Sequence, residues 1–194
     1  MSNKFKLIYA DCPWQFSNKK TGGSMKSGAD AQYPTMTIEQ LKALDVPSIC
    51  DDDCVLVMWW VGSQPQEAID LCQAWGFTIK NMNGFVWNKL TKNGKDFFGM
   101  GFYTRAGSES AIIAVRGKPK IVDHGVRAVF NDSIVGSFPV GRHSAKPNEF
   151  RKRAAQLVGD VPKLEMFARG LYPGWKVFGN EAPGSIEIGV FDDE

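Results

Sequence analysis

The run Cys54-Val55-Leu56-Val57-Met58-Trp59-Trp60-Val61 sets eight apolar residues in succession, with no polar residue alternating among them. A strand of that kind is buried on both faces, so it demands a sheet covered by further layers on each side. It falls far short of the roughly 20 residues that a membrane-spanning helix needs.

The surrounding pattern supplies those layers. Residues 5–10 read as an earlier strand. Thr37-Ile38-Glu39-Gln40 is a capping box opening a short helix through Leu44, with Pro47 as its stop and residues 51–53 as a polar turn. After the 54–61 strand, Ser63-Gln64-Pro65-Gln66 starts a helix whose Ala68, Ile69, Leu71, Cys72 and Trp75 recur at helical spacing and which Gly76 ends. Strands follow at 84–88 and 110–116, separated by a Gly-rich stretch at 98–103. Pro147 suits a first helical position, and Phe150, Ala154, Leu157 and Val158 form one apolar face of a helix closed by Gly159, before a last strand at 163–167. Strands alternating with helices predict an α/β fold on a mostly parallel sheet. At 194 residues and 43% hydrophobic, residues 1–182 make one domain, and residues 183–194 read as a short acidic, flexible tail.

Several function classes drop out. The amino terminus runs straight into the first strand with no room for a signal segment, which predicts a cytoplasmic protein with no membrane partner. The cysteines at 12, 50, 54 and 72 form no C-x-x-C pair and lie far from the two histidines, so reduced thiols and no metal site are expected. No G-x-G-x-x-G, P-loop or G-x-S-x-G motif occurs.

What remains is Asp11-Cys12-Pro13-Trp14, at the end of the first strand. Open α/β sheets bind ligands at such strand ends. Asp11 can accept a hydrogen bond from an exocyclic amine, a backbone carbonyl beside the fixed Pro13 can accept another, and Trp14 offers a stacking face for a flat base. Downstream, residues 17–30 have the composition of a lid, with Lys19, Lys20 and Lys26 clustered in it. A second basic cluster comprises Arg142, His143, Lys146, Arg151, Lys152 and Arg153. Either cluster is a nucleic-acid face or a solvated surface, and a net charge of +2 does not choose between them.

The ordered blocks Tyr9-Ala10-Asp11-Cys12-Pro13-Trp14, Tyr33-Pro34-Thr35-Met36, Ala74-Trp75-Gly76-Phe77, Val86-Trp87-Asn88-Lys89, Gly101-Phe102-Tyr103-Thr104-Arg105, Glu109, Arg142-His143-Ser144-Ala145-Lys146-Pro147, Lys163-Leu164-Glu165-Met166-Phe167-Ala168-Arg169 and Gly179-Asn180-Glu181 resemble the MT-A70 family of adenine N6-methyltransferases. The resemblance spans roughly residues 5–181 and is closest to the compact bacterial and phage branch. It implies a Rossmann-like sheet with helices on both faces, S-adenosylmethionine as cofactor, and a catalytic block that precedes the cofactor block. Asp11 and the Cys12 backbone would then hold the target amine, with Pro13 and Trp14 completing the catalytic block. Lys146 would meet the methionine carboxylate, while Phe167, Arg169, Asn180 and Glu181 would line the rest of the cofactor pocket. Trp14, Lys19, Lys20, Lys26, Tyr33, Arg142 and His143 would face the substrate, His143 as a hydrogen-bonding group more than a catalytic one. The implied partner is nucleic acid, DNA ahead of RNA, with a silent binding subunit as the rival reading and a homodimer left open. The chain departs from the family at Cys12, where a second proline is usual.

Overall fold

The computed structural model describes residues 4–15, 35–99, 101, 103–134 and 145–191. In chain order these form β1 (Phe5–Asp11), α1 (Ile38–Lys42), α2 (Val46–Ile49), β2 (Cys50–Trp60), α3 (Pro65–Ala74), β3 (Thr78–Leu90), β4 (Ser108–Arg116), β5 (Val129–Ser133), α4 (Asn148–Val158), β6 (Lys163–Met166) and β7 (Lys176–Phe178). The strands make one sheet in the order β5-β3-β4-β2-β1-β6-β7. β4 is antiparallel to both neighbours and every other pairing is parallel. This is the mostly parallel sheet that the alternating pattern predicts, on the Rossmann-like plan that the resemblance implies.

The period-2 geometry of a strand explains why β1 and β2 are apolar without interruption. Ile8, Ala10, Leu56 and Met58 face Leu41 of α1 and Ala68, Leu71 and Cys72 of α3. Leu7, Tyr9, Val55, Val57 and Trp59 face Phe150, Ala154 and Val158 of α4 on the opposite side. Each large side chain buried this way stabilises the fold by about 1.5–3 kcal/mol.

Four expectations are corrected. Residues 51–53 belong to β2 rather than to a turn: they bulge out of the register between the Phe5–Cys50 and Leu7–Val55 pairs, so the strand continues through them although their side chains are polar. Pro47 opens α2 instead of merely ending α1: Asp45 caps Ser48 N at 3.1 Å, and a first-turn position needs no N–H. Pro147 is the N-cap of α4 rather than its first residue. The tail is tied down as far as residue 191, where Ile186 N bonds Val177 O, Asp45 N bonds Gly189 O and Phe191 N bonds Ala43 O, each at 2.8 Å. Residues 192–194 lie outside the described residues.

This topology creates the site. β2 lies on one side of β1 and β6 on the other, and the chain reaches β6 only after building β2 to β5. The carboxyl ends of β1 and β6 therefore flank a point where the winding reverses, which is where such sheets open a crevice. Asp11 is the last residue of β1.

Candidate active site

Asp11 meets a lysine from 135 residues downstream. Lys146 Nζ donates to both carboxylate oxygens, at 2.9 and 3.0 Å. It also lies 3.2 Å from Glu109 Oε2 of β4, and Glu109 accepts in turn from Lys89 at the end of β3. The ammonium is 5.4 Å from the Trp59 ring centroid, so an aromatic face backs the cation. Two carboxylates and two ammonium groups make an electrically balanced cluster.

The cluster sets its own ionisation. Burial raises the Asp11 carboxyl above the ordinary aspartate value, and Lys146 offsets this only in part. Burial would also raise Glu109, but Lys146 and Lys89 outweigh it and hold the group at about 2. Burial alone would lower Lys146, yet Asp11 and Glu109 keep it above the usual lysine value and therefore charged. Asp11 is the weaker acid of the two, with 31% of its side chain exposed.

The turn after β1 is held on both sides. Trp14 N bonds Cys12 O at 2.9 Å and Met36 N bonds Pro13 O at 2.9 Å. The Cys12 carbonyl keeps a second lone pair for a ligand. Trp14 is 6% exposed, and its indole N–H donates to Trp59 O at 3.1 Å. With Gln15, Met36, Ile38 and Gln64 it lines a cleft of about 200 Å³. The Cys12 thiol is buried, and burial pushes it well above the ordinary thiol value.

Across the crevice, β6 and β7 end side by side. Ala168 N bonds Phe178 O at 3.0 Å, and a Cβ on Gly179 would lie 2.3 Å from Ala168 O. Phe167 adopts φ +61°, and its ring meets Phe178 edge-on at 5.8 Å. The loops carrying Phe167 and Arg169 and those carrying Asn180 and Glu181 thus leave the sheet from one edge. Arg169 is close enough to Asp11 to lower its pKa, while Asn180 and Glu181 are both exposed. Lys19, Lys20, Lys26, Tyr33, Arg142 and His143, and the whole 17–30 segment, lie outside the described residues.

Three features escape a reading of the residues. Glu109 falls in a matched block but carries no motif chemistry of its own; only its ion pairs reveal it. Lys89, in the Val86-Trp87-Asn88-Lys89 block, is not simply exposed: it is Glu109's partner, with 19% of its side chain exposed. The second basic cluster is not one surface. Helical periodicity turns Arg151 inward, where it binds both oxygens of Glu165 at 2.5 and 2.7 Å, contacts Asn148 and stacks on Tyr172 at 3.4 Å. Lys152 faces outward, and Arg153 bonds Glu149 and the carbonyls of Arg127 and Val129.

Comparison with known proteins gives the family of the chain. The MT-A70 family model matches residues 5–181. The type II methyltransferase M.MunI of a Mycoplasma species is 34% identical over 200 residues, covering 95% of this chain and 81% of that protein. The N(6)-adenosine-methyltransferase MT-A70-like protein of Drosophila melanogaster is 24% identical, covering 93% of this chain and 27% of its own length. The N(6)-adenine-specific methyltransferase METTL4 of Mus musculus is 25% identical, with 91% and 37% covered. With a family model running from the first strand to the residues after the last, and a relative above 30% identity aligned along most of both chains, the chain belongs to the MT-A70 family.

Proposed function

We propose that the protein transfers a methyl group from S-adenosylmethionine to the N6 amine of adenine in DNA. The observation that carries this reading is the Asp11 carboxylate at the end of β1, fixed through both oxygens by Lys146 and followed three residues on by Trp14, which borders a cleft. Membership of the family and the names of its adenine- and adenosine-specific relatives support the chemistry. The preference for DNA follows the type II methyltransferase, matched along 81% of its length, against 27% for the Drosophila N(6)-adenosine enzyme.

The residues present suit the cofactor. A buried, permanently charged Lys146 is fit to meet an α-carboxylate. Asp11, Glu181 and Asn180 offer acceptors for an ammonium group and ribose hydroxyls, and Arg169 offers a planar donor fork. Phe167 would supply an apolar wall. When bound, S-adenosylmethionine supplies an electrophilic methyl group on a sulfonium. Asp11 and the second lone pair of the Cys12 carbonyl would each accept one hydrogen of the adenine amine, returning to nitrogen the electron density that the ring withdraws. Transfer of the methyl group would break its bond to sulfur, leaving a neutral thioether, and the amine would lose one proton, for which Asp11 is the acceptor. Lys146 already directs its protons at Asp11 and Glu109, so a cofactor carboxylate reaches it in exchange for one of them. Positioning of amine against methyl dominates the rate.

The test is incubation with labelled S-adenosylmethionine and DNA and RNA of matched sequence, followed by mass spectrometry of the nucleosides. Label in N6-methyldeoxyadenosine is expected. Label confined to RNA would overturn the acceptor, and no label in either would make the chain a silent binding subunit.

A further inference from the structure

The connection from β3 to β4, residues 91–107, contributes no group to the chemistry at Asp11. It is a two-lobed hairpin: Thr91 N bonds Lys95 O at 2.7 Å, Phe97 N returns to Lys89 O at 3.0 Å, and Gly99 N bonds Ala106 O at 2.9 Å. Its roots are Lys89 and Glu109, the outer half of the charged cluster around Asp11. The tip is tight, since a Cβ on Gly101 would lie 2.6 Å from Thr104 O. Yet the hairpin displays aromatic residues to water. Tyr103 is 109% exposed and sits at φ +62°, a left-handed conformation that a bulky residue rarely takes. Phe98 is 72% exposed, with the Arg105 guanidinium 4.7 Å from its ring centroid.

The charge of the hairpin matches its aromatic character. Lys92, Lys95 and Arg105 against Asp96 give the segment a net charge of +2, which equals the whole formal excess of the chain. Among the described residues, none of these three cations pairs with a carboxylate. Exposed aromatic faces for bases, interleaved with cations for phosphates, are the surface that nucleic acid recognises. A second copy of the chain would set +2 against +2. We propose that this hairpin is the nucleic-acid clamp of the enzyme: Tyr103 and Phe98 stack on bases next to the target adenine, and Lys92, Lys95 and Arg105 hold the flanking phosphates. The proposal rests on the methyltransferase reading and adds the surface through which the acceptor docks.

The test uses the full chain and a fluorescently labelled, adenine-containing duplex, with binding read by anisotropy across a range of salt. Tyr103→Ala should weaken binding about tenfold, in the range for removal of one base–aromatic stack. Tyr103→Phe should restore it, and calorimetric binding of S-adenosylhomocysteine should be the same in all three proteins. Replacing Lys92, Lys95 and Arg105 together by Gln should flatten the slope of log K against log salt by about 2 to 3, at roughly 0.9 for each phosphate no longer neutralised. Wild-type affinity in Tyr103→Ala together with an unchanged slope in the triple variant would overturn the clamp while leaving the enzyme reading intact. So would unchanged nucleic-acid binding in variants whose sedimentation shows the disappearance of a dimer. A wild-type protein that neither binds nor methylates nucleic acid would overturn the enzyme reading itself.

Discussion

Two carboxylates share one lysine, and their surroundings drive them apart. Glu109 sits between Lys146 and Lys89 and titrates at about 2, below its ordinary 4.5. A carboxyl whose folded value is depressed stabilises the fold fully above its unfolded value, and that contribution is lost as pH falls through the folded value. Glu109 therefore supports the fold down to strongly acid pH. In Lys89→Met the depression shrinks, so acid unfolding should begin at higher pH than in the wild type. Thermal melts across the acid range measure this, and coincident acid midpoints would show that Lys89 is not a significant counter-charge. Asp11 is shifted the other way, upward through burial, and on the proposed reading it must be ionised to accept the amine, so a pH–rate profile should show an acid limb above the ordinary aspartate range. Next to it, the Cys12 thiol is held in its protonated form and is a poor nucleophile. Cys12→Ser and Cys12→Pro should both retain methyl transfer, because every residue type supplies the same carbonyl. Asp11→Ala should abolish transfer in a protein with unchanged circular dichroism. Loss of activity in a folded, cofactor-binding Cys12→Ser protein would instead point to covalent attack by sulfur.

The strands that carry the proposed cofactor residues are braced from behind by α4. Arg151 crosses from that helix to Glu165 on β6 and is covered by Tyr172, in the loop that begins beyond Arg169. Breaking a buried pair from one side strands a charge, which costs about 3–5 kcal/mol, whereas removing both charges together costs much less. Arg151→Met should lower unfolding free energy by about that amount, and the double variant Arg151→Met, Glu165→Met should recover most of it; denaturant titrations of the three proteins decide. The strands of the sheet show what a sequence conceals. β5 and β7 have five and three residues with two apolar residues each, too short for a periodicity to announce them; their pairing to β3 and β6 makes them strands. The first half of β3 is polar for the same reason, since its ladder bonds to β4 need only backbone, while the polar start of β2 bulges out between two paired points. By contrast β1, the core of β2, α3 and α4 are legible because burial on two faces or one stripe dictates residue type. In the site, Asp11 and Lys146 are legible through their blocks. The Lys89–Glu109–Lys146 chain is not, because it joins positions 20 and 37 residues apart across three elements.

At the scale of the whole molecule, the site stands on the centre of the sheet rather than on its margin. β1 has β2 on one side and β6 on the other, and its side chains enter both hydrophobic clusters, so Asp11 cannot loosen without opening the core. Lys146, shortly before α4, and Arg169, shortly after β6, reach the same point from elements packed against β1. A ligand held by these residues therefore binds the folded sheet and has no counterpart in the unfolded chain, where they are scattered over more than 150 positions of sequence. Binding at about 100 times the dissociation constant adds about 2.7 kcal/mol of stability. A chain of this size shifts its melting temperature by about 2–4 °C per kcal/mol, so S-adenosylhomocysteine should raise a single, cooperative transition by roughly 5–11 °C. Lys146→Ala should abolish most of that shift, while Tyr103→Ala, on the peripheral hairpin, should keep it whole. Differential scanning calorimetry distinguishes the outcomes. Two transitions, only one of them moved by the ligand, would mean that the cofactor edge of β6 and β7 melts apart from the rest and that the seven strands are not one cooperative unit.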